Sequence, residues 1–187
     1  MASGDDVVQL KTQGARDPLS GIGPVVSSAH LAESSVPELS EMEFAMTMAT
    51  NAFHRWMGRC MAAAGEPGLS PLEVLVVHLV HHRARAKTLA DICLVLNIED
   101  THLVTYAVKK LAERQLVSTG RKGKEKTVAI TARGAAVCKR YGEIREALLA
   151  RGVSQLGIDA AEISRLAALL RAISGSYDQA ARAAAAL

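Results

Sequence analysis

Residues 101–126 carry the side chains best suited to a recognisable chemistry, the binding of phosphate groups and of polar base edges. Positions 109–126 hold seven lysines and arginines against two acids, so this stretch has a net charge of +5 in a chain whose total is +3. Cations pair with phosphate oxygens, and hydroxyl, imidazole and phenol groups bond to base edges. The candidate residues are Thr101, His102, Thr105, Tyr106, Lys109, Lys110, Arg121, Lys122, Lys124 and Lys126. Such a localised excess of positive charge indicates a nucleic-acid interface.

Two short helices joined by a tight turn must position the first six of these groups. Apolar residues recur at helical spacing in both, as Leu89, Ile92, Cys93 and Leu96, then as Val104, Ala107, Val108 and Leu111. Asn97 tolerates a left-handed backbone and is predicted to end the first helix, and Asp100 or Thr101 is predicted to cap the second. The polar and basic side chains remain on the outer face. This pattern predicts a helix-turn-helix whose second helix can enter a DNA major groove.

The remaining four cations belong to a predicted hairpin. Residues 116–120 and 127–131 are rich in β-branched side chains, and Gly123 lies where the chain must turn between them. A basic hairpin that follows a helix-turn-helix is a wing. Its cations can lie along the phosphate backbone or reach into a minor groove.

Length and composition limit the architecture. The chain has 187 residues, of which 49% are hydrophobic and only 3% aromatic, and this favours one mostly helical domain with extensions and a small β wing. No apolar run is long enough for a membrane span, so no membrane partner is predicted. The first residues include acids and lack an apolar signal core, and the three cysteines are far apart, which favours the cytoplasm. A DNA-binding protein there is expected to be associated with the nucleoid.

Four regions are predicted. Residues 1–36 form a flexible or irregular arm, and 37–66 hold an N-terminal dimerisation helix that begins with a capping box at Ser40 and Glu43. Residues 69–134 form the winged helix-turn-helix, and 135–187 form C-terminal dimerisation helices interrupted at Gly175. The flanking helices have more apolar surface than the central module needs. They therefore predict a homodimer that presents its recognition helices to successive major grooves, about 34–36 Å apart.

Other candidate groups in the sequence also have ordinary structural roles. His78 and His82 lie one helical turn apart but have no evident third metal ligand, and the helix dipole explains histidines at a helix end. Trp56 belongs to an apolar stripe that is read as core or dimer contact, with a ligand pocket as the alternative. The cysteines are read as buried thiols, with redox sensing as the alternative. No catalytic constellation or phosphate-binding glycine loop appears, so no enzyme, metal or cofactor is predicted.

With these features in place, the sequence resembles the MarR family of winged helix-turn-helix transcriptional regulators over residues 38–173. The segments that carry the resemblance are Leu89-Ala90-Asp91, then Leu111 with Leu116-Val117, and Ile130-Thr131-x-x-Gly134. Gln115 stands where the family has a glycine, and Lys122 and Lys124 stand where its wing has an Asp-x-Arg element. The resemblance implies a cytoplasmic homodimer that binds pseudo-palindromic double-stranded DNA, often as a repressor. Relatives release DNA on binding a small phenolic or other anionic effector, or on thiol oxidation.

The residues also leave open a second class of function. A winged helix can serve as a protein-interaction module without sequence-specific DNA binding. Such domains usually lack a cluster of cations at the wing, and this chain has one. The sequence therefore favours DNA binding, with His102, Thr105 and Tyr106 facing base edges. Thr101, Lys109 and Lys110 are expected at nearby phosphates.

Overall fold

The computed structural model describes residues 25–187, and the chain divides into two compact units between Ala52 and Phe53. The first unit contains helix α1 (Ala29–Ala32) and the start of helix α2 (Pro37–Ala63). An irregular arm was predicted for residues 1–36, and its residues 1–24 lie outside the described part of the chain.

The predicted capping box at Ser40 and Glu43 is wrong. Helix α2 already begins at Pro37, and the Ser40 hydroxyl, inside the helix, donates a 2.6 Å hydrogen bond to the Leu31 carbonyl. Proline suits the first helical position because its missing N–H would have no partner there. The earlier start therefore leaves the serine without a capping role.

The second unit contains the rest of α2 and the elements of the predicted winged module. Its helices are α3 (Pro71–His81), α4 (Leu89–Leu96), α5 (Thr101–Glu113), α6 (Ala132–Arg145), α7 (Arg151–Ser154) and α8 (Ala160–Ala184). A short 3-10 turn (His82–Ala84) follows α3, and a π-helical turn (Glu146–Ala150) joins α6 to α7. The strands are β1 (Lys87–Thr88), β2 (Val117–Lys122) and β3 (Glu125–Ile130). The mostly helical fold with a small β wing is confirmed.

The three strands form an antiparallel sheet in the order β1-β3-β2. The wing pairs Val117 with Ile130 at its base and Lys122 with Glu125 at its tip. Strand β1 was not predicted, because a two-residue strand has no periodicity to detect. It pairs Lys87 with Val128 and brings the start of α4 beside the wing.

Helix ends in the second unit follow local capping chemistry. Full capping boxes begin α3 at Ser70, α4 at Thr88 and α8 at Asp159. The Asp100 carboxylate accepts the His102 amide at 2.8 Å and starts α5, and this confirms one of its two predicted caps. Asn97 ends α4 in the left-handed region at φ 53°, as predicted.

A tight apolar core holds the helix-turn-helix. The end of α2, helices α3, α4 and α5 and the base of the wing contribute side chains that are almost completely buried. They include Met61, Val74, Val77, Val80, Ile92, Val104, Val108, Leu111, Leu116 and Val128. Burying each such side chain contributes about 2 kcal/mol of hydrophobic free energy. Cys60, Cys93 and Cys138 are free and buried, as predicted.

The C-terminal helices differ from the core in exposure. Helix α8 runs unbroken through Gly175, so the predicted interruption there is wrong. A helical glycine costs only about 1 kcal/mol, and the alanine-rich flanks favour the helix. Large apolar side chains of α8 and the segment before it remain exposed, namely Leu148, Leu156, Ile158, Ile163, Leu166, Leu169 and Leu170. Among the described residues no helix is long and apolar enough to cross a membrane.

Candidate nucleic-acid interface

Helix α5 separates its apolar and polar residues onto opposite faces. Val104, Ala107, Val108 and Leu111 are buried. The opposite face exposes Thr101, His102, Thr105, Tyr106 and Lys109 to solvent. Five of the six recognition-helix residues singled out from the sequence therefore lie together on one accessible surface.

Local hydrogen bonds order the first turn of that surface. The Thr105 hydroxyl donates to the Thr101 carbonyl at 2.9 Å, which leaves its oxygen lone pairs and methyl group available outward. Tyr106 is 62% exposed and lies one turn beyond His102. A hydroxyl, an imidazole and a phenol thus occupy the part of the helix that enters a groove first in this class of motif.

The wing presents its cations on both strands. Gly123 turns the hairpin at φ 63°, and Arg121, Lys122, Lys124 and Lys126 are all exposed. Arg121 and Lys126 lie directly opposite each other in the ladder. Like charges directly opposite each other on paired strands repel, so the pairing of Arg121 with Lys126 is unfavourable on its own. A bound anion would relieve this repulsion, so the pair favours anion binding.

The structure adds Arg85 to this surface, which sequence reasoning did not single out. A groove of about 630 Å³ separates the start of α4 from the wing, and its lining includes Arg85, Thr88, Asp91, Arg121, Lys122 and Glu125. In the sequence, the feature that could have indicated Arg85 is the run Arg83-Ala84-Arg85-Ala86-Lys87, in which basic residues alternate with alanines. Its position beside the wing depends on the pairing of β1 with β3.

Lys109 and Lys110 have different surroundings. The Lys109 ammonium is 4.0 Å from Glu113, and both side chains are largely exposed, so the pair is weak and free to exchange. The Lys110 ammonium lies 2.8 Å from a carboxylate oxygen of Glu73, whose side chain is only 2% exposed. The hydrogen bond to Glu73 raises the pKa of Lys110. Lys110 is thus held against α3.

A second ionic cluster anchors the other end of α5. The buried Glu66 carboxylate contacts Arg133 and, at 3.5 Å, Arg114. Arg114 also donates to the Pro67 carbonyl at 2.7 Å. These bonds tie the α2–α3 loop to the end of the recognition helix and to the start of α6.

Away from this surface, the region around Trp56 contains buried polar side-chain atoms. His78 Nε2 and His81 Nδ1 are buried and have no hydrogen-bond partner in the described part of the chain. Burial raises the pKa of Tyr141, and a side-chain hydrogen bond with Trp56 partly opposes this. The His78 and Tyr141 rings meet edge to face with centroids 4.5 Å apart. Burial, reinforced by the charge of His81, lowers the pKa of His78. No metal-binding group of three histidines, cysteines or carboxylates occurs within residues 25–187.

The central module also matches a known family. Residues 69–134 match the family model described as winged helix DNA-binding domain. Residues 69–134 therefore have the winged helix fold that this model describes. The exposed face of α5 and the cationic wing both lie within the matched residues. No curated protein sequence matches the chain significantly.

Solved structures of other proteins, a MarR variant among them, have a similar fold over about three quarters of this chain. CouR from Rhodococcus jostii RHA1, bound to p-coumaroyl-CoA, has a TM-score of 0.60 at 18% identity, covering 78% of this chain and 95% of its own. A MarR variant from E. coli complexed with operator DNA has a TM-score of 0.59 at 17% identity, covering 75% and 98%. Reduced AbfR bound to DNA has a TM-score of 0.60 at 13% identity, covering 75% and 94%. The resemblance predicted from the sequence is confirmed in the fold.

Proposed function

We propose that this chain is a DNA-binding transcriptional regulator that acts as a repressor and binds a pseudo-palindromic operator as a homodimer. The observation that carries the proposal is the exposed polar face of α5 beside an exposed cationic wing, within a winged helix DNA-binding domain. That combination matches both grooves and the backbone of duplex DNA. The fold that the chain shares with MarR, which binds operator DNA, supports the same reading.

Each exposed group has a proposed contact. His102, Thr105 and Tyr106 face base edges or thymine methyl groups in the major groove. Thr101 and Lys109 bind nearby phosphates. The wing cations Arg121, Lys122, Lys124 and Lys126 bind the flanking backbone or the minor groove.

The homodimer is proposed from exposed apolar surface. Helix α8 and the segment before it leave seven large aliphatic side chains in solvent, and a monomer rarely exposes a large apolar patch. A second copy that covers them would place two recognition helices on one side of the duplex. Sedimentation equilibrium tests this directly, and a monomer at micromolar concentration would contradict it.

A small-molecule effector is proposed at Trp56. The partnerless nitrogens of His78 and His81, which Tyr141 links to Trp56, would bond to a polar or anionic group on an aromatic ligand. Trp56 is the one tryptophan of the sequence, so its fluorescence reports on that region alone. Titration with phenolic acids and their thioesters should change this fluorescence and release bound DNA. A fluorescence change without release of DNA would show that the ligand binds near Trp56 but does not regulate DNA binding.

The proposed function has a decisive experiment. The purified full chain is mixed with sheared genomic DNA, and the bound fragments are sequenced. We expect a small set of enriched fragments that share a motif with two-fold symmetry. Uniform recovery of all fragments would leave only non-specific binding, and no recovery at low salt would favour the protein-interaction alternative.

A further inference from the structure

The carboxylate of Glu73 is shared between two helices. Its Oε2 accepts the Ser70 amide at 3.0 Å and so completes the capping box of α3. Its Oε1 accepts from the Lys110 ammonium at 2.8 Å. A capping glutamate on a surface helix is ordinarily exposed, whereas Glu73 is 1% exposed. One buried group therefore both begins α3 and attaches α5 to it.

Lys110 is the partner that this buried charge requires. A carboxylate removed from water is strongly unfavourable unless a cation or several donors compensate it. Lys110 is the cation that the structure places within salt-bridge distance of Glu73. If Lys110 turned away to bind a DNA phosphate, it would leave that carboxylate unpaired. Its neighbour Lys109 meets no such penalty, because its partner Glu113 is exposed.

The pair also lies next to a proposed base-reading group. The Lys110 ammonium lies 5.6 Å from the centroid of the Tyr106 ring, within the range of a cation–π contact. Both Lys110 and Tyr106 are on α5, one turn apart, so the ion pair holds the same part of α5 that carries Tyr106. Helix α3 also carries His78 and His81 towards its other end.

We propose that Glu73, acting through Lys110, is a positioning residue that orients the recognition helix for sequence-specific DNA reading. Lys110 is then not a phosphate contact. This inference rests on the proposed function, because it concerns how that same surface is held. It implies that the pair affects discrimination between sequences, whereas Lys109 affects overall affinity.

The test is a double-mutant cycle on the full chain. Glu73→Gln, Lys110→Met and the double variant are compared for binding to an enriched genomic fragment and to random DNA, across a salt series. We expect each single change to lower the ratio of the two affinities about tenfold, and the double change to lower it no further. The slope of log affinity against log salt concentration should stay unchanged.

Lys109→Met is the matched control, because it removes the adjacent lysine. It should reduce the magnitude of the salt slope by about one and leave the affinity ratio unchanged. The same result for Lys110→Met would overturn the proposal and make Lys110 a phosphate contact. Wild-type ratios in all three cycle variants would overturn it as well.

Lys110→Arg keeps the proposal testable if Glu73→Gln fails to fold. The arginine retains a cation for Glu73, so its affinity ratio should stay near that of the wild type while Lys110→Met loses discrimination. Equal losses in both would contradict the positioning role. If the wild-type chain prefers no genomic fragment over random DNA, the proposed function itself is refuted. If the wild-type chain does discriminate, and its variants discriminate equally well, only the positioning role of Glu73 is refuted.

Discussion

Gly134 lies against the backbone of Leu116 so closely that a Cβ at position 134 would overlap the Leu116 carbonyl oxygen. The Thr131 hydroxyl reinforces this contact, since it lies 3.0 Å from the same oxygen and accepts the Gly134 amide at 3.0 Å. The Thr-x-x-Gly segment therefore docks the start of α6 onto the end of the recognition helix.

Gly134→Ala should destabilise the fold by about 3 kcal/mol, because the backbone must shift to admit the methyl group. Gly142→Ala is the control in the same helix, where an added Cβ meets nothing within 4 Å. That change should stabilise the protein by up to about 1 kcal/mol through helix propensity. Urea unfolding of both variants measures the difference, and equal effects would contradict the close contact.

Gln115→Gly should stabilise the protein by about 1 kcal/mol. Gln115 follows α5 with φ 59°, a left-handed conformation that is unfavourable for a residue with a Cβ. Gln115→Ala keeps the strain and should show no comparable gain. Thermal unfolding separates the two, and equal melting temperatures for the glycine and alanine variants would exclude the strain.

Lys122→Ala with Lys124→Ala should weaken DNA binding and reduce the magnitude of the salt slope by about two, because each lysine neutralises one phosphate. Lys139→Ala with Arg171→Ala removes the same charge from exposed positions on α6 and α8. Fluorescence anisotropy across a salt series measures both. An unchanged salt slope in the wing variant would show that these wing lysines do not contact DNA phosphates.

The free energy of unfolding should fall as the pH drops below about 6.5. Burial holds the pKa of His78 below the ordinary value of 6.5, so the unfolded chain binds a proton before the folded chain does. Above pH 7.5 this histidine is neutral in both states and contributes no slope. His78→Gln should flatten part of the dependence below 6.5, and the exposed His82→Gln should not.

The three cysteines should resist alkylation in the native protein. Burial raises the pKa of Cys138 to about 11 and also raises that of Cys60, although Arg145 partly opposes the latter. Thiols react as thiolates, so iodoacetamide at pH 8 should label them only after unfolding. Mass spectrometry before and after denaturation checks this. Rapid labelling of one native cysteine would favour the redox alternative.

The elements of the winged module could be predicted because their signals are local. Asn97 ends α4 and Asp100 starts α5 through contacts within a few residues. The errors also came from local reasoning, because Pro37 preceded the expected start at Ser40, and Gly175 was tolerated within α8.

By itself, the sequence determined the order of the elements, the apolar face of α5 and the concentration of cations in the wing. Tertiary structure decided which of the cations on α5 are available to bind an anion. Lys109 and Lys110 are adjacent and chemically identical in the sequence, yet one faces solvent and the other is paired with a buried carboxylate on α3. Periodicity assigns a residue to a face of its own helix. The partner across the core depends on how separate helices pack, which no local pattern encodes.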